Sequence, residues 1–427
     1  MILYLSDFDL VGSGYMQISI ALCKAMADRG YKITALGMGY DGSEHNWPFS
    51  IIPIQHGDSL TIASAMMQNF AMLAKGKAVE PIEALIVALD IPIQERMMMT
   101  VRKFADWPYI GIFPIESGPL CPSWAAILHN MTSRLVISQY GLQQMTDAGV
   151  GGRFLPVGLD TASWRPPQPE ERKALRESMG FTDDMMVVLT VADNQERKNL
   201  WAAAETIKLL KDGGMNPQWT LVTRVHSPVG WRLADLGWKL DIQEHVMPFE
   251  RGLPFDRLWT LYAIADAFLL TSKAEGFGMP MVEAMACGVP VVATDCTAMP
   301  EQIFDDYPQR EVARGFPIAV EYWNLDPWGN SMRAWASPAS AAQHLRTIFE
   351  WKTAGDPRLT DIINRGIAYA RSRTWDKTAA VLLEAVEEVK LRPAPADEPP
   401  VANGVPLPAN IEPLTVPRPL PVLGGRK

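Results

Sequence analysis

The sequence is poor in the residues that build metal centres and disulfide frameworks. Its 427 residues include only four cysteines and six histidines. Cys23, Cys121, Cys287 and Cys296 form no C-x-x-C pair, and three of them lie among apolar or small residues, so buried free thiols are expected rather than disulfides. No histidines fall in H-E-x-x-H or H-x-H spacing, so no zinc site is legible. No run approaches the roughly 20 uninterrupted apolar residues of a membrane span. The chain opens directly as a strand, Ile2 to Leu5, with no basic leader and no signal-peptide core, and a soluble, cytoplasmic protein is expected. Charged residues are 20% and the net charge is −9, which offers no global attraction to nucleic acid or anionic lipid.

What is present is alternation. Strand-like runs at Ile2–Leu5, Lys32–Leu36, Leu85–Leu89, Tyr109–Phe113 and Leu135–Ser138 are separated by loops and helical stretches such as Tyr15–Asp28, whose Ile18, Leu22, Ala25 and Met26 share a face. Strands alternating with helices imply a parallel sheet. The proline-rich link Trp164–Pro169 marks a boundary. A second series follows at Met186–Val191, Trp219–Thr223, His245–Pro248, Ala267–Leu270 and Val289–Ala293. The expectation is an α/β chain of two Rossmann-like domains, 1–165 and 166–373, facing across a cleft. Arg371–Lys390 reads as one last helical stretch, and residues 374–390 as a helix that crosses back to the first domain. Residues 391–427 are dense in proline without periodicity, as expected of a flexible tail. Within it Pro417–Pro421 resembles a polyproline ligand, so a partner-docking role stands beside the plain tail reading.

The segment Glu275–Thr294, EGFGMPMVEAMACGVPVVAT, carries the chemistry. Its order is strand, glycine turn, helix, strand. Pro280 suits the first helical turn, where its missing N–H costs nothing, and Gly288 suits the left-handed position that ends a helix spanning Met281–Cys287. Backbone N–H groups at such a helix start favour an anion. A carboxylate is a poor phosphate partner but a good acceptor for vicinal hydroxyls. Glutamates bracketing an anion site therefore suggest a nucleotide-sugar.

This segment resembles the donor-site motif of retaining GT-B glycosyltransferases of the family 4 group, E-x7-E in the form E-G-F-G-x-P-x-x-E-A-M-A-x-G-x-P-V. Every defined position is met. The resemblance covers most of residues 1–390 and implies a GT-B fold and retaining transfer from a nucleotide-diphosphate sugar. It implies that Glu283 holds the ribose hydroxyls, that Glu275 contacts the transferred sugar, and that Gly276, Phe277 and Gly278 offer backbone N–H groups to sugar and diphosphate. Asn194–Asn199 resembles the family's basic segment after the first donor-domain strand, which makes Arg197 and Lys198 the diphosphate grips. Ala192 stands where the family usually has another arginine, so one phosphate contact is missing or comes from elsewhere, with Arg224 a candidate. Gly12, Ser13 and Gly14 match the glycine loop that faces the diphosphate and borders the acceptor. As a dinucleotide fingerprint that loop fails, because Gln17 occupies the third glycine position.

Where many members of the family have a histidine, this chain has Glu116. A carboxylate there can bind a sugar or acceptor hydroxyl, act as a base, or cap a turn. Asp7–Phe8–Asp9 matches D-x-D literally but follows the first strand, and reads as a loop. No metal or other cofactor is expected; Lys198, Arg197 and a helix start would carry the leaving-group charge. Catalytic candidates are thus Glu275, Lys198 and Glu116. The expected partners are a nucleotide-sugar donor and an acceptor that is a protein or small molecule, with nucleic acid or lipid less favoured. A non-catalytic sugar-nucleotide binder, or an epimerase or hydrolase on the same fold, remains the alternative.

Overall fold

A computed structural model describes residues 1–9, 14–54, 82–102, 107–327 and 331–391. Gly12, Ser13 and the polyproline-like Pro417–Pro421 lie outside the described residues.

The described chain is built on two parallel sheets. The first contains β1 (Ile2–Asp7), β2 (Ile33–Met38), β3 (Ser50–Ile54), β4 (Ala84–Ala88), β5 (Tyr109–Phe113), β6 (Ser133–Val136) and β7 (Arg153–Phe154), in the order β3-β2-β1-β4-β5-β6-β7. The second contains β8 (Met185–Val191), β9 (Asn216–Thr223), β10 (Val246–Glu250), β11 (Ala267–Leu270), β12 (Val291–Thr294) and β13 (Phe316–Ile318), in the order β10-β9-β8-β11-β12-β13. The central strands are buried, β8 at all but its two ends, as strands covered on both faces must be, and their sequences (ALIVA, MMVVL, AFLL) are continuous apolar runs rather than alternating ones. In both sheets the order reverses beside the first strand of the series: β1 lies between β2 and β4, and β8 between β9 and β11. In open α/β sheets the ligand crevice lies beyond the carboxyl ends of the strands at such a reversal.

Helices α1 (Gly14–Ala27), α2 (Ile91–Val101), α3 (Pro122–His129) and α4 (Gln139–Asp147) accompany the first sheet in chain order. The buried face of α1 is Ile18, Ser19, Leu22, Cys23 and Met26; Ala25 is only half-buried. Helix α2 buries Met97, Met98 and Val101 in the core. With the second series come α5 (Pro169–Ser178), α6 (Leu200–Asp212), α7 (Leu233–Lys239), α8 (Phe255–Ile264), α9 (Met279–Ala286), α10 (Pro300–Ile303), α11 (Pro338–Ala354) and α12 (Pro357–Ser372). A two-stranded antiparallel hairpin, β14 (Val320–Asp326) and β15 (Ser331–Ala336), interrupts this series after β13.

Two expectations need correction. The last helical stretch is two helices, because α12 stops at Ser372 and α13 runs Trp375–Lys390. The break is where the chain turns toward the first sheet. The Arg373 carbonyl accepts from Leu159 N–H at 3.0 Å, and Trp375 presses so closely on Gly158 that a Cβ there would stand 2.7 Å from its backbone nitrogen. Helix α13 then lies on α1, with Arg153 paired to Glu388 and Lys390 to Glu83 at 2.9 Å. The motif helix begins at Met279 rather than Met281, because Gly278 (φ 85°) serves as its N-cap; Pro280 occupies its first turn and Gly288 (φ 74°) follows its end, as expected.

All four cysteines are free; Cys23, Cys287 and Cys296 are buried. Among the described residues no helix is long and apolar enough to cross a membrane.

Candidate active site

The residues named from sequence come from loops at the carboxyl ends of central strands, where the order of both sheets reverses. Glu275 follows β11. Its carboxylate is buried, accepting from Lys198 Nζ and from Ser272 Oγ, both at 2.6 Å, and it meets Arg197 Nη1 at 3.2 Å. The Thr297 hydroxyl clamps its backbone, accepting from Glu275 N–H at 2.9 Å and donating to the Glu275 carbonyl at 3.0 Å. Burial alone would raise the Glu275 pKa, but the charges of Lys198 and Arg197 outweigh it and pull the value down to about 2.

Arg197 and Lys198 lie on a single 3₁₀ turn, Glu196–Lys198, between β8 and α6. Asn199 ends that turn in a left-handed conformation (φ 51°) and starts α6. Lys273 N–H ties the turn to the motif loop by donating to the Arg197 carbonyl at 2.8 Å. Burial, and then Arg197 beside it, push the Lys198 pKa down, with Glu275 opposing. Burial would lower the Arg197 pKa too, but the carboxylates of Glu116 and Glu275 reverse that.

Glu116, in the loop after β5, joins this cluster. It lies 3.2 Å from Arg197 Nη1 and 3.5 Å from Arg333 Nη1. Its carboxyl pKa is raised by burial, against the pull of Arg197, with Asp90 and Glu275 adding to the rise. Asp90, just past β4, accepts from the Tyr15 hydroxyl at 2.6 Å. Gly276 shows how tightly the loops after β5 and β11 meet: a Cβ there would come within 2.2 Å of Pro114 Cβ. The helix starts also meet, in ordinary contact: a Cβ on Gly14 would lie 3.7 Å from Met279 Sδ.

Glu283 lies inside α9, not at its exposed end. It is 3% exposed, and its carboxylate accepts from the Tyr262 hydroxyl at 2.7 Å. Burial drives its pKa up to about 7, although hydrogen bonds from Tyr262 and Gln17 oppose the rise. Gln17 belongs to α1 of the first sheet, so Glu283 lies where the elements of both sheets meet. Phe277 is buried beneath Arg373, whose guanidinium lies 5.3 Å from its ring, and the Phe277 carbonyl accepts from the Gln302 side chain.

The suggested substitute for the arginine absent at Ala192 is otherwise engaged. Arg224 pairs with Asp193 at 3.3 Å, outside the Glu275 cluster of contacts, and Arg251 links Asp193 (3.4 Å) to Asp9 (3.0 Å). Among the described residues, no three His, Cys, Asp or Glu side chains converge as ligands for a metal ion.

Four polar groups of this region carry no sequence signal that singled them out: Arg333, Asp90, Tyr15 and Tyr262. In the SMRAWA run of β15 nothing marks what Arg333 faces.

Residues 171–318 match the family described as Glycosyl transferases group 1. They form a group 1 glycosyltransferase domain in a GT-B fold. This domain contains Arg197, Lys198, Glu275 and Glu283. Over 204 residues the chain is 29% identical to the GDP-mannose-dependent alpha-(1-6)-phosphatidylinositol monomannoside mannosyltransferase of Mycolicibacterium smegmatis, covering 41% of this chain and 52% of the relative. Over 254 residues it is 27% identical to the D-inositol 3-phosphate glycosyltransferase of Xylanimonas cellulosilytica, covering 56% and 52%. The match thus spans about half the length of these curated relatives. Sucrose-phosphate synthase of Thermosynechococcus elongatus superposes with TM-score 0.70 at 15% identity, over 91% of this chain and 98% of its own. An Anabaena protein solved in complex with UDP-glucose superposes with TM-score 0.64 at 16% identity, over 91% and 99%. The GT-B fold therefore extends well beyond the group 1 domain.

Proposed function

We propose that the protein is a retaining, metal-independent glycosyltransferase that moves a hexosyl or pentosyl group from a nucleotide-diphosphate sugar to an acceptor hydroxyl. The observation that carries this reading is the group in which the half-buried Lys198 and Arg197 meet the buried Glu275 just before α9, joined by Glu116 from the opposite sheet. Two cations in a crevice shielded from water stabilise the charge that develops on a departing diphosphate, and they do so more strongly than in water. Glu283 accepts hydroxyl hydrogen bonds from the donor, with Tyr262 holding its carboxylate in place. Glu275, already ionised, contacts the transferred sugar while keeping Lys198 and Arg197 oriented. Glu116, its carboxyl pKa raised by burial, is placed to exchange a proton with an acceptor hydroxyl.

The GDP-mannose in the name of the Mycolicibacterium relative and the UDP-glucose bound by the Anabaena protein put those two donors first in a panel. The acceptor is a hydroxyl of a small molecule or protein, and inositol phosphate joins the panel because a relative is named for it. Incubation of labelled donors with and without acceptors, in buffer and in EDTA, tests the reading. Acceptor-dependent transfer that survives EDTA is expected. Conversion of donor without acceptor would mark an epimerase or hydrolase, and binding with no conversion a non-catalytic sugar-nucleotide binder. Loss of turnover in EDTA, restored by a divalent ion, would return Asp7 and Asp9 to consideration as ligands. Product analysis of the new linkage decides retention.

A further inference from the structure

The hairpin strand β15 delivers an arginine into the site that no motif announced. Arg333 is 3% exposed, yet its Nε and Nη1 have no hydrogen-bond partner. Burying guanidinium N–H groups without acceptors costs on the order of 1–3 kcal/mol per group, and folded proteins rarely leave them so without a reason. Its position is fixed on both sides by the site itself. Met332 N–H donates to Ser117 Oγ at 2.7 Å, next to Glu116, and Ala334 N–H donates to the Lys273 carbonyl at 2.9 Å, two residues before Glu275. The nearest counter-charge is Glu116 Oε2 at 3.5 Å, whose other oxygen lies 3.2 Å from Arg197.

Around this point the carboxylates of Glu116, Glu275 and Asp90 act on a cluster of cations, Asp90 while accepting from the Tyr15 hydroxyl. Arg197, Lys198 and Arg333 contribute three cations. Glu275 is committed to Lys198, Arg197 and Ser272. Glu116 alone is divided between Arg197 and Arg333, and the surroundings disfavour its charged form. A carboxylate bridging two guanidinium groups stands where a phosphate with more oxygens and more charge would bind better, because guanidinium forks match phosphate oxygens closely.

We propose that Arg333 is a third cation of the donor site and, with Arg197, holds a phosphate group of the nucleotide-diphosphate donor in the place the Glu116 carboxylate takes between them. The proposal rests on the nucleotide-sugar reading and adds to it a residue from outside the basic segment Asn194–Asn199. It makes Glu116 a displaceable internal anion: the carboxylate keeps the two arginines apart and oriented, and it yields when phosphate arrives.

Calorimetric titration of UDP, GDP and ADP into wild type, Arg333→Gln, Arg333→Lys and Glu116→Gln, each checked for folding by circular dichroism, tests this. For the nucleotide that binds wild type, Arg333→Gln should weaken binding by about ten- to a hundredfold, the cost of losing a charged hydrogen-bond partner. Arg333→Lys should recover part of the loss, and Glu116→Gln should bind more tightly than wild type. The Glu116→Gln arm keeps the test decisive if Arg333→Gln does not fold. Wild-type affinity in a folded Arg333→Gln, or weaker binding by Glu116→Gln, overturns the proposal and leaves the transferase reading intact. A rise in acceptor KM with unchanged nucleotide affinity overturns it as well, assigning Arg333 to the acceptor. If no nucleoside diphosphate binds wild type, both readings fall together.

Discussion

Glu275 and Glu283 belong to one motif, eight residues apart, and both are buried, yet they are held in opposite electrostatic states. Glu275 lies in the loop before α9, where Lys198 and Arg197 bring its pKa down to about 2. Glu283 lies within the helix, with only the Tyr262 and Gln17 side chains to soften its desolvation, and its pKa stands at about 7. Burial is common to both, so it does not decide the charge; the partners do. A loop that collects cations from the β8 turn suits a role at the diphosphate. A carboxyl among uncharged hydrogen-bond donors suits a role at hydroxyls.

The strongest way to break this contrast is to remove the cation that Glu275 depends on. Lys198→Ala should cost about 10²–10³ in turnover, the usual loss when a charge that stabilises a leaving group is deleted. The Glu275 carboxylate would retain Arg197 and Ser272, so steady-state assay on the folded variant reads chemistry rather than collapse.

Glu283→Gln tests the other side. The ordinary carboxyl value is 4.5 and the folded value about 7, so between these the folded state binds the proton more firmly than the unfolded state. Wild-type stability contributed by this group is therefore greatest below pH 4.5 and falls as pH rises toward 7. The difference across that window is up to about 3 kcal/mol. Glutamine keeps an acceptor for Tyr262 and removes that component. The variant should gain stability relative to wild type from pH 5 to 8, measured by urea unfolding. Glu301, also raised to about 7 by burial and accepting from Tyr140 N–H at 2.9 Å, supplies a component of the same sign that the variant retains. Glu275 has the opposite sign: its contribution is full above pH 4.5 and is lost toward pH 2. Donor affinity should rise through pH 7 in wild type and lose that dependence in Glu283→Gln, because the ionised carboxylate is the better acceptor for hydroxyls.

A third change sharpens the geometry. Gly276→Ala introduces a Cβ that would meet Pro114 at 2.2 Å, so the loops after β5 and β11 must separate. A loss of about 1–3 kcal/mol in stability is expected, with a raised donor KM, and calorimetric melting reads the first directly. The smallest effect should come from Asp9→Asn. The Asp9–Arg251 pair is about a quarter exposed on each side, and its removal should cost about 0.5 kcal/mol or less with EDTA-insensitive turnover preserved. A large loss of turnover in Asp9→Asn would contradict the assignment of Asp9 to structure.

Much of the fold was legible because the central strands are continuous apolar runs bounded by loops, and β5 and β11 match their expected bounds. The edges were harder. β7 and β13 are short, β3 is largely unburied, and the β14–β15 hairpin is largely exposed along its first strand, so it carries no core-facing pattern. The break between α12 and α13 is set by contact with Gly158, a residue far away in sequence. The site was legible where a motif binds its members in one stretch, as at Glu275–Glu283, and at Arg197–Lys198. It was not legible where a partner arrives from a distant loop. Nothing local to Arg333 says that it faces Glu116, and nothing local to Tyr262 says that it donates to Glu283. The sequence also suggested Arg224 as a substitute cation, since it follows a buried strand; it pairs with Asp193, one residue past Ala192.

The central claim is that Lys198 and its partners stabilise a departing nucleoside diphosphate. Transfer of label from GDP-mannose, UDP-glucose and the remaining donors to the acceptor panel, measured side by side for wild type and Lys198→Ala at pH 7.5 in EDTA, tests it most directly. The account predicts acceptor-dependent transfer by wild type and a rate lower by about two to three orders of magnitude in the folded variant. Equal rates in the two proteins, or no transfer by wild type with any donor and acceptor, would contradict it.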